Sequence, residues 1–361
     1  MNGAKQTMNT LEGKRVVITG GTGSLGKTLL RRLLGGKDGS PSKIIVFSRD
    51  EAKQHAIRME YQHRLAATDE IIYRNFAERL EFVIGDVRDF HALASVLRGA
   101  DIVFNAAALK QVPTCEYFPF EAVQTNVTGA ENVVRAIRDL RLEVETVVGI
   151  STDKAVKPVN VMGMTKSIQE RIFAAANLLV PQTRFVLARY GNVLASRGSV
   201  IPLFHDQIRK GGPLTITSPE MTRFLLSLEE AVDLIIAAVA EAQAGETYIP
   251  RVPSARMTDV ATALIGERPI ETVITGVRPG EKLHEILISE EEVHRTVQRG
   301  PYYAIRPILP ELQRGDEAVA GLTKEYSSAD DLLTPEGVKD LLARRGLLVG
   351  ETLVPEGELL A

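Results

Sequence analysis

Three observations predict an α/β fold built on a doubly wound parallel sheet. Short, β-branched apolar runs alternate with longer helix-period stretches through the first 190 residues. The first run opens directly into a glycine-rich turn and a helix, and the polar motifs GDVRD, NAAALKQVP and STDK each follow the end of a strand-like run. Such alternation builds βαβ units, whose crossover helices cover both faces of a parallel sheet and leave its strands almost wholly apolar. This is a Rossmann-type arrangement, in which ligands bind outside the carboxyl ends of the strands.

The expected strands are KRVVIT (14–19), KIIVF (43–47), LEFVI (80–84), DIVFNA (101–106), TVVGI (146–150) and RFVLARY (184–190). Between the second and third, HRLAATDEIIYRNFAER (63–79) lengthens the connection, either as an oligomer contact or as a lid beside an adenosine. After Tyr190 the rhythm changes to the loop-rich NVLASRGSVIPLF, then Gly211, Gly212, Pro213 and the short extended LTIT. A helical pattern at 228–243 and the strand-like ETYIP (246–250) return the chain to the sheet. The expected organisation is a Rossmann domain over 12–190 plus about 228–250, a smaller mixed α/β substrate-binding domain from 191–227 and 251–330, and a peripheral C-terminal segment, 331–361.

The charge balance narrows the partners. With 43 Lys+Arg against 46 Asp+Glu the net charge is -3, which gives neither nucleic acid nor an acidic membrane an electrostatic footprint. Any anionic ligand must be met by a local cluster. No stretch approaches the roughly 18 apolar residues of a membrane span, and the start MNGAKQTMNTLEG lacks the apolar core of a signal peptide. Cys115 is the sole cysteine, so a buried thiol in the reducing cytoplasm is expected. Histidines 55, 63, 91, 205, 284 and 294 show no metal-ligand spacing, and no metal is expected.

TGGTGSLGK (19–27) contains GxGxxG and GxxGxxG between a strand and a helix, where glycines let backbone approach a pyrophosphate and free N–H groups meet its charge. Gly20, Thr22, Gly23, Ser24, Leu25 and Gly26 are therefore candidate dinucleotide ligands. At the end of the second strand, FSRDEAK offers Ser48, Arg49, Asp50 and Lys53. An acid alone there favours NAD through the ribose 2′-hydroxyl, whereas arginine accommodates a 2′-phosphate, so NADP is favoured and NAD is the alternative. Asp86, with Val87 beside it, is placed to meet the adenine. Ala106, Ala107 and Ala108 let a cofactor lie against the backbone, with Lys110 and Ser151 nearby; plain packing is the rival reading of the alanines. After the fifth strand, STDKAVKPVNVMGMTK brings Thr152, Asp153 and Lys154 to the same edge, then places Met162 and Lys166 one turn apart on one helix face. That is acid/base equipment beside a hydride carrier.

TGGTGSLGK, FSRDE, GDVRD, NAAALKQVP, TNVTGAENV, STDKAVKPVN, RYGNVLASRGSVIPLF, MTRF, PSARMTD and GVRPGEKLHE run in order through nearly the whole chain. Together they resemble the extended short-chain dehydrogenases/reductases, and within them the nucleotide-activated N-acetylglucosamine 4,6-dehydratases of bacterial polysaccharide biosynthesis. The resemblance implies a redox-neutral dehydration: C4 of the sugar is oxidised, the C5 proton leaves with water from C6, and hydride returns to C6. It implies that Thr152 orients the C4 oxygen, Asp153 donates to the departing C6 hydroxyl, Lys154 is the base at C5, and Lys166 binds the nicotinamide ribose. On the substrate side it implies that Asn192 bonds the diphosphate, with Arg197, Ser199 and Val200 lining the nucleotide pocket. Arg223 and Arg278 add positive charge, and Glu281 reaches the nucleoside ribose. A homo-oligomer, dimer or hexamer, is implied as well.

Met162 departs from the tyrosine of YxxxK that relatives inverting C5 use at the C4 hydroxyl, and methionine there is similar to the C5-retaining type. A thioether cannot titrate. The C4 proton must then pass to Asp153 through Thr152, or to Lys166 with a water. UDP and GDP remain alternatives for the nucleotide, a 4-epimerase is the nearest rival activity, and a non-catalytic NADP-binding scaffold is disfavoured because Asp153, Lys154 and Lys166 all remain.

Overall fold

A computed structural model of the chain describes residues 9–62, 78–194, 199–313 and 321–350. Most of the lengthened 63–79 connection and Arg197 lie outside the described residues. The strands are β1 (Arg15–Thr19), β2 (Lys43–Ser48), β3 (Leu80–Ile84), β4 (Ile102–Asn105), β5 (Thr146–Thr152), β6 (Arg184–Tyr190), β7 (Leu214–Ile216), β8 (Thr222–Phe224), β9 (Thr247–Pro250), β10 (Ser254–Arg256), β11 (Thr272–Ile274), β12 (Ile286–Ile288), β13 (Thr296–Arg299), β14 (Tyr302–Ile305) and β15 (Tyr326–Ser327). Among the described residues, nine form one sheet in the order β13-β14-β9-β6-β5-β4-β1-β2-β3. From β3 to β9 every pairing is parallel, while β14 and β13 extend the sheet antiparallel. The order in which successive strands are added reverses between β1 and β4, which makes that gap the topological switch point.

The helices used below are α1 (Ser24–Leu34), α2 (Glu51–Gln62), α3 (Phe90–Leu97), α4 (Gly129–Asp139), α5 (Val161–Leu179), α6 (Val200–Arg209), α7 (Leu228–Glu241), α8 (Met257–Ile265) and α9 (Pro335–Arg344). Because alternate strand residues point to opposite faces, the apolar runs supply two cores. Val16, Ile18, Ile44 and Val46 pack with Leu29 and Leu33 of α1 and Val232 and Ile235 of α7. Val17, Ile45, Val103 and Val147 pack on the other face with Leu93 of α3, Val133 of α4 and Phe173 of α5. Each such aliphatic side chain contributes roughly 1.5–3 kcal/mol through burial. Local signals set the helix starts: the Asp89 side chain accepts from the His91 and Ala92 N–H groups, and Ser227 forms a capping box with Glu230.

A third core lies over the carboxyl end of the sheet, where Ile201 and Phe204 of α6, Leu214 of β7, and Val260 and Leu264 of α8 come together. From the segment read as peripheral, α9 adds Val338 and Leu342 to this core.

Gly26 sits where α1 crosses the turn after β1. A Cβ there would stand 2.4 Å from the Gly21 Cα, a backbone atom that cannot swing aside. Gly26→Ala is expected to lose about 1–3 kcal/mol of stability in urea unfolding. Gly23→Ala, whose Cβ would meet the Gly20 carbonyl oxygen at an ordinary 3.5 Å, should cost clearly less.

Candidate active site

At the switch point the turns after β1 and β4 touch backbone to backbone. Gly20 has φ +67°, and a Cβ on it would lie 2.7 Å from the Ala107 Cα. Gly23 precedes α1 without a capping side chain, and the first turn of α1 holds no acidic residue, so its N–H groups are left for an anion. A cleft of about 400 Å³ opens here, lined by Gly20, Gly23, Ser24, Leu25, Gly26, Ala106, Ala107, Ala108, Lys110, Ser151, Thr152, Lys154, Met162, Lys166 and Asn192. The glycine turn, the alanine loop and the helix bearing Met162 and Lys166 thus share one cavity.

The residues expected around the adenosine form a separate group at the ends of β2 and β3. The Thr22 and Ser48 hydroxyls are 3.0 Å apart. Lys53 pairs with Asp50 at 2.6 Å, and Arg49 stands 3.6 Å from Asp86, which Arg88 holds more closely at 2.7 Å. Burial would raise the Asp86 carboxyl, but its hydrogen bonds from Arg88 outweigh this and hold it below the usual carboxylate range. The Arg49 side chain is 58% exposed and its ion pair is long, so it can turn to an incoming anion at little cost. Val87 is buried beneath α4, where a Cβ on Gly129 would come within 2.9 Å of it.

The turn after β5 carries the densest chemistry. Asp153 is fully buried and lies behind Thr152 and Lys154. Its Oδ1 accepts from the Thr152 hydroxyl at 2.8 Å and from the Lys154 Nζ at 3.0 Å, while Oδ2 has no partner among the described residues. Lys154 also donates to Asn192 Oδ1 at 3.2 Å and pairs with the buried Glu285 at 3.1 Å. Burial pushes the Asp153 carboxyl up, and Glu285 adds to that against the pull of Lys154. Burial pulls Lys154 down, but Asp153 and Glu285 together outweigh it and hold the ammonium.

α5 supplies the rest. Asn160 caps it, accepting from the Gly163 N–H at 2.8 Å and donating to the Gly280 carbonyl at 2.8 Å. Met162 is buried beside Cys115 and Ala122 and reaches the cleft. One turn on, Lys166 donates to Gln169 Oε1 at 2.8 Å, and Gln169 donates to the Ile150 carbonyl. Burial lowers the Lys166 amine to about 8. The alanine loop is registered to α5 by Asn126, whose amide bonds both the N–H and the C=O of Leu109 and the Thr165 hydroxyl. Asn126 sits in a π-helical stretch, Val123–Thr128, a local irregularity often found at functional sites.

A second cavity of about 220 Å³ adjoins the first and shares Lys154, Asn192 and Ser199 with it. Val200, Arg223, Arg278 and Glu281 line it. The Ser199 hydroxyl and Glu281 Oε2 are buried without partners among the described residues, as expected of atoms that await a polar ligand. The Arg223 Nη1 is already engaged by the carbonyls of Thr222 and Leu283. Glu285, Gln169 and Asn160 were not singled out from the sequence. Glu285 stands inside the quoted GVRPGEKLHE, but its partner Lys154 is far away along the chain, and no spacing joins them.

A dinucleotide-type cleft that opens onto a second, arginine-lined cavity is the arrangement of the extended short-chain dehydrogenases/reductases that modify nucleotide sugars. The chain belongs to the polysaccharide biosynthesis protein family, whose model matches residues 16–307. It is similar to a UDP-N-acetylglucosamine 4,6-dehydratase (inverting) of Campylobacter jejuni, with 42% identity over 82% of this chain and 84% of that one. It is equally similar, at 42% over 91% of this chain and 95% of the other, to a UDP-glucose 4-epimerase of Rickettsia typhi. The crystal structure of Pen from Bacillus thuringiensis matches it with a TM-score of 0.82 and 33% identity, covering 94% of this chain and 99% of that one.

Burial of Lys166 has a stability signature. Between about 8 and the ordinary lysine value of 10.5, the unfolded chain binds a proton that the folded chain does not, so this group's contribution to stability grows as pH rises through that window. The difference in urea midpoint between the wild type and Lys166→Met should therefore move in favour of the wild type from pH 8 to pH 10.

Proposed function

We propose that the chain is a C5-retaining UDP-N-acetylglucosamine 4,6-dehydratase that uses NADP and yields UDP-2-acetamido-2,6-dideoxy-4-keto-D-glucose. The observation that carries this reading is the ion pair of the buried Asp153 with the partly exposed Lys154, whose ammonium reaches the junction of the two cavities. A 4-epimerase needs no acid for water loss, whereas a dehydratase needs an acid and a base close together on one sugar. The dinucleotide supplies a hydride acceptor at C4 and a donor at C6. The glycine turn and the open N-terminus of α1 suit its pyrophosphate, and the partly exposed Arg49 suits a 2′-phosphate.

The protein groups divide the proton transfers. Thr152 orients the C4 oxygen. With Met162 unable to titrate, the C4 proton passes to Lys166 by way of a water, a role that suits a buried amine lowered to about 8. Asp153 donates to the departing C6 hydroxyl, and Lys154 takes the C5 proton. In the ligand-free protein Lys154 is an ammonium, so it must first release its proton, and C5 exchange is expected to quicken as pH rises. Asn192, Ser199, Arg278 and Glu281 suit the nucleoside diphosphate in the second cavity, and Arg197, from the same loop as Ser199, belongs with them. The names of the Campylobacter and Rickettsia relatives keep C5 inversion and 4-epimerisation as the competing outcomes.

Incubation with UDP-GlcNAc should give a product lighter by one water, and its NMR spectrum should show the D-gluco configuration at C5. An L-arabino product overturns retention. Unchanged mass with UDP-GalNAc formation makes the chain an epimerase, and water loss from GDP-GlcNAc alone reassigns the nucleotide. Asp153→Asn should lower kcat by about 10²–10⁴-fold while KM changes little. For the cofactor, Arg49→Ala is expected to weaken NADP binding about tenfold or more in calorimetry, which is the loss of one charge-assisted contact, and to leave NAD binding nearly unchanged.

A further inference from the structure

Glu285 is a carboxylate that none of the roles above uses. It lies just before β12, is 2% exposed, and lines the second cavity. One of its oxygens stands 3.1 Å from the Lys154 Nζ and 3.8 Å from the Arg223 Nε, and the other has no partner among the described residues. Asp153 approaches the same ammonium at 3.0 Å. Two buried carboxylates therefore share one lysine, and like charges so placed do not both ionise readily.

The surroundings decide which of them keeps a proton. Arg223, from β8, faces Glu285, and its orientation is fixed by the Thr222 and Leu283 carbonyls. Lys282, on Glu285's own segment, adds positive charge from where its Nζ donates to the Val156 carbonyl. The neighbouring His284 ring is taken up by the Thr222 hydroxyl, and the Glu285 N–H by the Ser328 hydroxyl. Among the described residues Asp153 is ion-paired with Lys154 alone and feels Lys282 at longer range, and its unpartnered Oδ2 lies against Gly191, where a Cβ would come within 3.1 Å. Glu285 has an unpartnered oxygen too, but it lines the second cavity whereas Asp153 lines neither, so the unpartnered oxygen costs more on an anionic Asp153 than on an anionic Glu285.

We propose that Glu285 is a positioning residue, the standing counter-ion of Lys154, and that by neutralising the ammonium it leaves Asp153 with its proton in the resting protein. The directions of titration agree: Lys154 and Arg223 together overcome burial and hold Glu285 below the usual range, while Asp153 is held above it. The proposal deepens the dehydratase reading and rests on it for what the proton does, because a protonated Asp153 is ready for the C6 hydroxyl. It also sends the C4 proton to Lys166, since Asp153 has no vacancy for it.

Infrared spectra of the ligand-free protein labelled with carboxyl-¹³C aspartate test this directly. At pH 7 the wild type should show a protonated-carboxyl band that Asp153→Asn removes. Glu285→Gln should remove it as well, because Asp153 then becomes the lysine's anion, while Glu285→Asp should keep it. Absence of an Asp153-dependent band in the wild type overturns the proposal, as does its survival in Glu285→Gln. If Glu285→Gln fails to fold, the wild type, Asp153→Asn and Glu285→Asp decide by the same band. In turnover, Glu285→Gln should move the alkaline limb of kcat/KM to lower pH by about one unit or more, where a purely structural role would lower the whole profile without moving it. The spectra need no substrate, so a chain inactive on every nucleotide sugar ends the dehydratase reading while the band still tests Glu285.

Discussion

The close approach of α5 to the turn after β5 is the contact on which the rest of the site depends. It is possible because residue 163 is glycine: a Cβ there would stand 2.1 Å from the Lys154 carbonyl oxygen. With no side chain between them, the helix bearing Met162 and Lys166 rests on the turn bearing Asp153 and Lys154, and two stretches that a strand-to-helix connection would otherwise separate meet in one cleft. Asn126 then sets the third wall by bonding Leu109 and Thr165 together. These contacts are made through backbone or short side chains, so the geometry owes little to the long, flexible side chains of Lys154 and Lys166.

A chain of net charge -3 holds its positive groups where buried carboxylates place them. Besides the Lys154 cluster there is a second buried network, in which Arg189 of β6 bonds Glu170 of α5 and Glu292, and donates to the Leu287 carbonyl of β12. Ser151, one residue before Thr152, donates to the same Glu170. The segment carrying Glu285 is thus pinned from two directions, by Lys154 and Arg223 on one side and by Arg189 on the other. Opening either network leaves a buried charge uncompensated, at a cost of about 3–5 kcal/mol.

What could be read from the sequence was whatever depends on neighbours along the chain. Five of the six apolar runs of the first half are strands buried on both faces, the sixth, β3, lies half-covered at the sheet edge, and the glycine turn and STDK announce themselves by their position after those strands. β13 and β14 gave no such signal: the TVQR of β13 is only half buried, each strand has four residues, and they join the sheet antiparallel at its end. Arg223 shows the limit most clearly. Its residue type suggests an anion ligand, and it does meet an anion, but one supplied by the protein, and nothing in MTRF indicates that Glu285 lies opposite. Likewise α9 follows a charged stretch that reads as a tail, yet Val338 and Leu342 complete the outer core.

Asn160 joins these levels. One end of its amide caps the helix that carries Lys166, and the other end holds the carbonyl of Gly280, between Arg278 and Glu281. The loop that faces the second cavity therefore cannot swing away without loosening the first turn of α5, and a frayed first turn releases its hold on that loop. The position of that loop and the order of the first turn of α5 are thereby tied together through one side chain.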